Sequence, residues 1–197
     1  MSLRAATIAL LVSIACGCGA ATPQAAAPAD NRSEVERYFP LIDRTIFTYQ
    51  TSTGSSSTEM FMIRVKRVGP KVAQLLTGSS LRVLSIGPDS VRREGAGVVL
   101  RAPLKTGETW QGDKGTVRIV DANAEVRVPA GNYKNCVQTV EEVGGDARGK
   151  ITTFFCPDVG IARMEVEEWH GAEHLTQIME LRSFGPPMDL GKQPPAP

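Results

Sequence analysis

The chain contains two histidines, and both lie in the stretch HGAEH, residues 170–174, which matches the H-x-x-E-H zinc-binding pattern. That chemistry requires one helix to hold both rings on a metal ion and the glutamate beside the metal-bound water. Gly171 interrupts a helix, and the alternating residues around it favour a hairpin whose strands point His170 and His174 to opposite faces. We therefore expect a surface turn here and no metal site.

A glycine-rich stretch, GGDARGK at residues 144–150, is the nearest match to a phosphate-binding loop. Such a loop continues with Ser or Thr after the lysine and then opens a helix, because the hydroxyl holds magnesium and the backbone N–H groups hold phosphate. Here Lys150 is followed by Ile151, and the run ITTFFC predicts a strand. A hairpin bend explains the glycines, so we predict no nucleotide site and no other cofactor.

The remaining candidates for catalysis fail on geometry. No G-x-S-x-G nucleophile elbow occurs in the sequence. The acidic pairs Glu141-Glu142 and Glu167-Glu168 place neighbouring carboxylates on opposite faces of a strand, so neither pair offers two facing acids, and we expect solvated edge charges. The sequence therefore predicts no catalytic residue and a protein that is not an enzyme.

Two of the four cysteines, Cys16 and Cys18, follow a long apolar segment. Arg4 and the apolar residues 5–14 have the layout of a signal peptide and are too short to span a bilayer. The stretch SIAC, which ends at Cys16, resembles the lipobox of bacterial lipoproteins, in which a cysteine receives diacylglycerol. We expect lipidation of Cys16, with Cys18 as the alternative, whereas cleavage after Ala20 would release a soluble periplasmic or secreted protein. Zinc binding by these two cysteines would need two further ligands nearby, and the sequence has none there.

Composition divides the chain into four parts. Residues 1–15 form the predicted signal peptide, residues 16–37 an Ala/Pro-rich flexible tether, residues 38–185 a single domain and residues 186–197 a Pro-rich tail. The chain has 22 Lys and Arg residues, so removal of Arg4 leaves 21 against 21 Asp and Glu residues. Because this balance comes without a basic stripe, we expect no nucleic-acid partner.

Apolar and polar residues alternate with a period of two through almost the whole domain, with Gly, Pro, Asn or Asp between the segments. The only helical signal is a short turn at residues 33–38. The pattern predicts an all-β, single-domain antiparallel meander that forms a curled sheet or half-barrel. Candidate strands occupy residues 45–53, 59–68, 71–77, 81–86, 90–93, 98–101, 116–120, 125–128, 132–143, 150–156, 161–169 and 174–184.

The two later cysteines, Cys136 and Cys156, are equidistant from Asp146 in the glycine-rich bend. Pairing about this centre sets Thr139 against Thr153 and brings the two thiols opposite each other, and export places them in an oxidising compartment. We predict a structural disulfide that stabilises the fold by about 3 kcal/mol. A redox-active pair would instead need C-x-x-C spacing and a helix N-terminus.

A second hairpin is predicted with its turn at residues 171–172. This turn sets Met164 against Met179 and Arg163 against Glu180, so apolar meets apolar and charge meets opposite charge. A register one residue away would place Met164 against Glu180, and the pattern rejects it.

Several aromatic side chains are candidates for the lining of a ligand cavity. Core filling is the default role for such residues, and a cavity is the alternative. The candidates are Trp110, Trp169, Phe47, Tyr49, Phe61 and Phe154.

Three stretches, YFPLIDRTIFTYQ, APLKTGETW and VPAGNYKNC followed by FFCPDVGIARME, resemble landmarks of a loose group of uncharacterised exported bacterial β-proteins. The resemblance implies a shared strand order and no particular activity. A single antiparallel sheet on a lipid-tethered chain is also similar, in architecture, to the half-barrels of the outer-membrane lipoprotein carriers and receptors.

These features predict a module tethered to the outer membrane by its lipid and facing the periplasm, with a role in binding or envelope maintenance. The concave face of a half-barrel would hold an apolar ligand or lipid, or a peptide. The alternative is a structural or protein-interaction lipoprotein, with an envelope protein as its partner and no ligand cavity.

Overall fold

Strands dominate the computed structural model, which describes residues 31–54, 58–144, 148–171 and 173–186. In these ranges one short helix precedes twelve strands that form a single antiparallel sheet. The predicted all-β fold is confirmed. No helix within the described ranges has the length and apolar character needed to cross a membrane.

The elements follow one another closely along the chain. Helix α1 is Glu34–Tyr38. The strands are β1 Ile46–Thr53, β2 Glu59–Gly69, β3 Val72–Thr77, β4 Ser80–Ile86, β5 Ser90–Arg93, β6 Val98–Arg101, β7 Thr109–Gln111, β8 Gly115–Val128, β9 Gly131–Val143, β10 Arg148–Cys156, β11 Gly160–His170 and β12 Glu173–Gly185.

The strand order is β6-β5-β4-β3-β2-β1-β12-β11-β10-β9-β8-β7, so β6 and β7 are the outermost strands. These two edges approach each other. The indole Nε1 of Trp110 in β7 donates to the carbonyl oxygen of Val98 in β6 at 3.0 Å. Beside them, Gly97 lies so near Gly112 that an added Cβ would overlap the Gly112 carbonyl. The sheet is therefore curled into a nearly closed half-barrel, as predicted.

The registers of both predicted hairpins are confirmed. Thr139 of β9 pairs with Thr153 of β10, and Met164 of β11 pairs with Met179 of β12. At the second turn, Gly171 has a φ of +63°, in the left-handed region that glycine adopts without steric cost.

One long strand replaces two predicted ones. The segments at residues 116–120 and 125–128 belong to the same strand, β8, which has register shifts opposite β9 between Ile119 and Val126. Within this irregular part, Asp121 pairs with Gln138, and its carboxylate accepts the backbone N–H of Asn123 at 2.8 Å. Strand β7 was not predicted, since its three residues are too few to show alternation.

The packed body begins at Arg32, earlier than predicted. Ser33 and Glu36 form a capping box at the start of α1, and Val35 in that helix is fully buried. Arg32 forms an ion pair with Asp158 at 2.5 Å. The last residues of the predicted tether are thus part of the folded body, because the cap and the burial of Val35 hold them there.

Several predictions fall outside the described residues. These are the signal peptide at residues 1–15, lipidation at Cys16 or Cys18, most of the tether and the tail from residue 187. They stay predictions.

Candidate functional site

The inner face of the curled sheet is lined mainly by apolar side chains, because inner and outer residues alternate along each strand. Phe47 and Tyr49 of β1 and Phe61 and Ile63 of β2 point inward, whereas Met62 is 61% exposed on the outer face. These side chains do not fill the interior. Two adjoining compartments remain, each with a cavity volume of about 250 Å³.

The first compartment, which we call the aromatic compartment, is lined by Phe47, Tyr49, Phe61, Ile63 and Met179, among others. The ring of Tyr49 stacks between those of Phe47 and Phe61, with centroid distances of 6.3 and 5.6 Å. Aromatic faces and a flexible thioether form a wall that adapts to an apolar ligand. The compartment is therefore suited to a hydrocarbon chain or ring.

Tyr49 lines this compartment with its ring, and its hydroxyl group is already hydrogen-bonded. Its hydroxyl donates to the carbonyl oxygen of Ile161 at 2.9 Å. Burial raises the pKa of Tyr49, because the phenolate would lose its hydration. The hydroxyl stays protonated and hydrogen-bonded, so it is unsuited to act as a nucleophile or a base.

The second compartment, which we call the charged compartment, adjoins the first and shares Phe39, Leu75, Arg82, Ile161 and Met164 with it. Its other walls include apolar residues of β6, β8 and β10. It differs from the aromatic compartment in having several charged side chains. We call these residues the charged rim: Arg82, Arg93, Asp113 and Glu141.

Three members of the rim have partners within the protein. Arg93 forms an ion pair with Asp113. An oxygen of Glu141 accepts the backbone N–H groups of Lys114 at 2.5 Å and Gly115 at 2.9 Å. The expectation that Glu141 is a solvated edge charge is wrong, because the alternation along β9 turns this residue towards the interior.

The fourth rim residue, Arg82, is different. It lies opposite Leu75 in the β3–β4 pair, faces the interior and lines both compartments. The residue is exposed, and its guanidinium makes no hydrogen bond or salt bridge with another described residue. Its planar array of N–H donors is therefore available to a ligand.

Away from the rim, the interior is closed by a set of buried residues that we call the floor. Phe39, which follows α1, meets Phe155 of β10 edge to face, with ring centroids 5.8 Å apart. Next to Phe155, Cys156 is joined to Cys136 of β9 by a disulfide with a Cα–Cα distance of 4.2 Å. Both cysteines and Val35 of α1 are 0% exposed. Solvent therefore has no access through the floor.

The two histidines do not line either compartment. His174 stacks on Trp169 with a centroid distance of 4.9 Å and lies 3.6 Å from Glu167, while His170 lies 3.5 Å from Glu168. The side chain of Glu167 is only 16% exposed, so it is not the fully solvated edge charge expected from the sequence. Within the described ranges, no three His, Cys, Asp or Glu side chains converge as a metal site would require.

Only part of the predicted aromatic set lines the cavity. Phe47, Tyr49 and Phe61 do so, whereas Trp110 is buried at the junction of β6 and β7 and Trp169 stacks on a histidine. Phe154 is half-buried and packs against the core from a position outside both linings.

Sequence reasoning missed the charged rim. The signal for Arg82 is its spacing from Leu84, since the two lie two residues apart on one face of β4 and Leu84 is buried. A charge on the inner face of an otherwise apolar strand marks a candidate ligand contact. This signal can be recognised only when it is known which face of the strand points towards the interior.

No protein-family model and no curated protein matches the sequence. The structure is similar to that of a predicted exported protein with a YmcC-like fold from Bacteroides fragilis. The TM-score is 0.51 at 12% sequence identity, over 75% of this chain and 98% of that chain. A predicted lipoprotein from Parabacteroides distasonis aligns with a TM-score of 0.48 at 11% identity and the same coverage. The likeness to the Bacteroides protein is one of fold alone.

Proposed function

We propose that this chain is an exported, membrane-tethered binding module without catalytic activity, which holds an apolar ligand inside the half-barrel. The observation that carries this proposal is the pair of adjoining compartments, whose walls are mainly apolar and whose volumes are about 250 Å³ each. Ligand pockets in proteins are commonly apolar clefts of roughly 300–1,000 Å³ with a few polar groups. Taken together, the two compartments fall in the lower half of that range.

Binding fits the interior better than catalysis because two interior groups that could act as a base or a nucleophile, those of Tyr49 and Glu141, are already hydrogen-bonded. The hydroxyl of Tyr49 donates to a carbonyl, and the carboxylate of Glu141 accepts two backbone N–H groups. Such groups orient a ligand without transforming it.

Tethering is supported by the sequence before the folded body. The apolar residues 5–14 and the lipobox-like stretch ending at Cys16 favour export and attachment of diacylglycerol, with Cys18 as the second choice. The similar Bacteroides protein is itself described as exported. We place the anchor in the outer membrane, with the sheet facing the periplasm. Intact mass spectrometry of protein extracted from membranes is expected to show the lipid addition, and an unmodified Cys16 and Cys18 would contradict the anchor.

Ligand binding is tested with a larger side chain that fills part of the cavity. Met164 lines both compartments, whereas Met62 is exposed on the outer face, so Met164→Trp and Met62→Trp make the same exchange on opposite sides of the sheet. We expect a fluorescent fatty-acid probe to bind wild type and Met62→Trp, and to bind Met164→Trp at least about tenfold more weakly. Failure of the probe to bind wild type, or equal binding by both variants, would refute an interior site.

A second function, protein interaction through the outer face of the sheet, is favoured by one observation. Met60 and Met62 of β2 and Leu81 of β4 are 65%, 61% and 54% exposed, on the two strands that flank β3. Clustered exposed apolar side chains are typical of interaction surfaces. Crosslinking in intact cells is expected to recover one stoichiometric envelope protein in this case, and Met62→Asp would abolish the crosslink without affecting probe binding.

A further inference from the structure

We infer that the interior takes an amphiphile with an anionic head group, whose charge is met by Arg82 and whose hydrocarbon chain occupies the aromatic compartment. This inference rests on the proposed binding function and specifies its ligand. It starts from the position of Arg82, which is the only charged residue among the described residues that line the aromatic compartment.

The alternation of side chains along β4 directs Arg82 towards the interior. Arg82 pairs with Leu75 across β3 and β4, and both residues line both compartments. The aliphatic stem of an arginine covers apolar surface while its guanidinium stays in water. The guanidinium is thus held where the apolar wall ends and solvent begins, which is where the head group of an amphiphile would lie.

The other rim charges do not neutralise Arg82 through a direct contact. Asp113 is paired with Arg93, and the Glu141 carboxylate is held by the N–H groups of Lys114 and Gly115. These three charged side chains line only the charged compartment. Arg82 is therefore the lining charge that a ligand in the aromatic compartment would meet among the described residues, and a positive charge favours an anion over a neutral or cationic head group.

The shape of the guanidinium also selects the head group. A carboxylate or phosphate accepts two parallel N–H donors from one arginine, and such charge-assisted bonds are stronger than those to a neutral hydroxyl. The rest of the ligand is apolar, because the remaining lining of the aromatic compartment has only Thr77 and the engaged hydroxyl of Tyr49 as polar side chains. A single-chain fatty acid or an alkyl phosphate has this combination.

The test compares three ligands of equal chain length, dodecanoate, dodecyl phosphate and dodecanol, by calorimetric titration of the purified wild-type protein. We expect at least one anion to bind about tenfold more tightly than dodecanol, since a bond to a charged group replaces one to a neutral group. The preferred anion then distinguishes a carboxylate from a phosphate as the head group. Equal binding of all three would overturn the role of Arg82 and leave the proposed binding function intact, whereas no binding by any of them would overturn both.

Two matched variants assign the preference to the residue. Arg82→Met removes the interior charge, and Arg92→Met removes an exposed charge from β5 that lines neither compartment. We expect Arg82→Met to lose the preference for the anion while still binding dodecanol, and Arg92→Met to keep the wild-type preference. Retention of dodecanol binding shows that the variant is folded. An anion preference that survives Arg82→Met would overturn the assignment.

Discussion

The floor and the charged rim both border the interior, but the floor is buried and apolar, whereas the rim is charged and partly exposed to solvent. The floor combines the buried residues Val35, Phe39 and Phe155 with a disulfide, so its contacts are apolar or covalent. At the rim, Arg82 is exposed and the side chains of the Arg93–Asp113 pair are each 31% exposed. We therefore assign a stabilising role to the floor and ligand contact to the rim.

A single strand joins the two regions. Along β9, Val137 is 0% exposed beside the floor, Thr139 is buried at mid-height and Glu141 reaches the rim, at steps of two residues on the inner face. Four residues of strand span about 13 Å. The interior therefore changes from buried and apolar to charged along one row of inward-facing side chains.

The largest expected effect is at the floor. Phe155→Ala removes a ring that is 2% exposed and contacts Phe39, and we expect it to lower the free energy of unfolding by about 4 kcal/mol. Ile151→Ala changes a half-buried residue on the same face of β10 near the rim, and we expect a loss of about 2 kcal/mol. Urea denaturation measures both. Equal losses would remove the distinction between the two regions.

The next effect concerns the disulfide. Replacing both Cys136 and Cys156 with Ala opens a loop with a sequence separation of 20, and we expect a loss of about 3 kcal/mol because the unfolded chain gains freedom. Denaturation with and without reductant measures it. Reductant should weaken wild type and leave the double variant unchanged; a wild type insensitive to reductant after full reduction of the bond would contradict a stabilising role.

A smaller effect is expected at Tyr49, which lines the aromatic compartment. Tyr49→Phe removes the hydrogen bond to the Ile161 carbonyl, and we expect a loss of about 1 kcal/mol at neutral pH. Because burial raises the pKa of Tyr49, the unfolded chain releases this proton at lower pH than the folded protein, so the contribution is full below about pH 10 and declines above it. Melting temperatures between pH 8 and 11 are expected to fall more steeply for wild type than for Tyr49→Phe. Parallel curves would argue against a buried phenol.

The smallest effect on stability is expected at the rim. Arg82→Met removes a charge that has no partner among the described residues and replaces an exposed side chain, so we expect a change within about 0.5 kcal/mol. Thermal denaturation measures it beside Arg92→Met. A loss above about 2 kcal/mol would make Arg82 a structural residue and weaken its assignment to a ligand.

The sequence predicts the floor better than the rim, for a physical reason. Cys136 and Cys156, and Met164 and Met179, are placed by counting from a turn, because residues in an antiparallel hairpin pair at fixed offsets from its centre. Alternation then predicts which residues of each hairpin are inside. Local rules of this kind need no knowledge of how distant strands meet.

The rim depends on contacts that local rules do not reach. Arg93 and Asp113 belong to opposite ends of the sheet, and they meet only because the sheet curls until β6 and β7 approach each other. The orientation of Glu141 also depends on which face of β9 becomes concave. Alternation predicts two faces for each strand, and only the closure of the sheet decides which face encloses a cavity.

The most direct test of the account is native mass spectrometry of the full-length protein purified from membranes under mild conditions. We predict one apolar anionic molecule per folded chain, released on denaturation, and its loss in Met164→Trp but not in Met62→Trp. A mass that corresponds to the ligand-free chain, unchanged after incubation with fatty acid or alkyl phosphate, would contradict an interior that binds such a ligand.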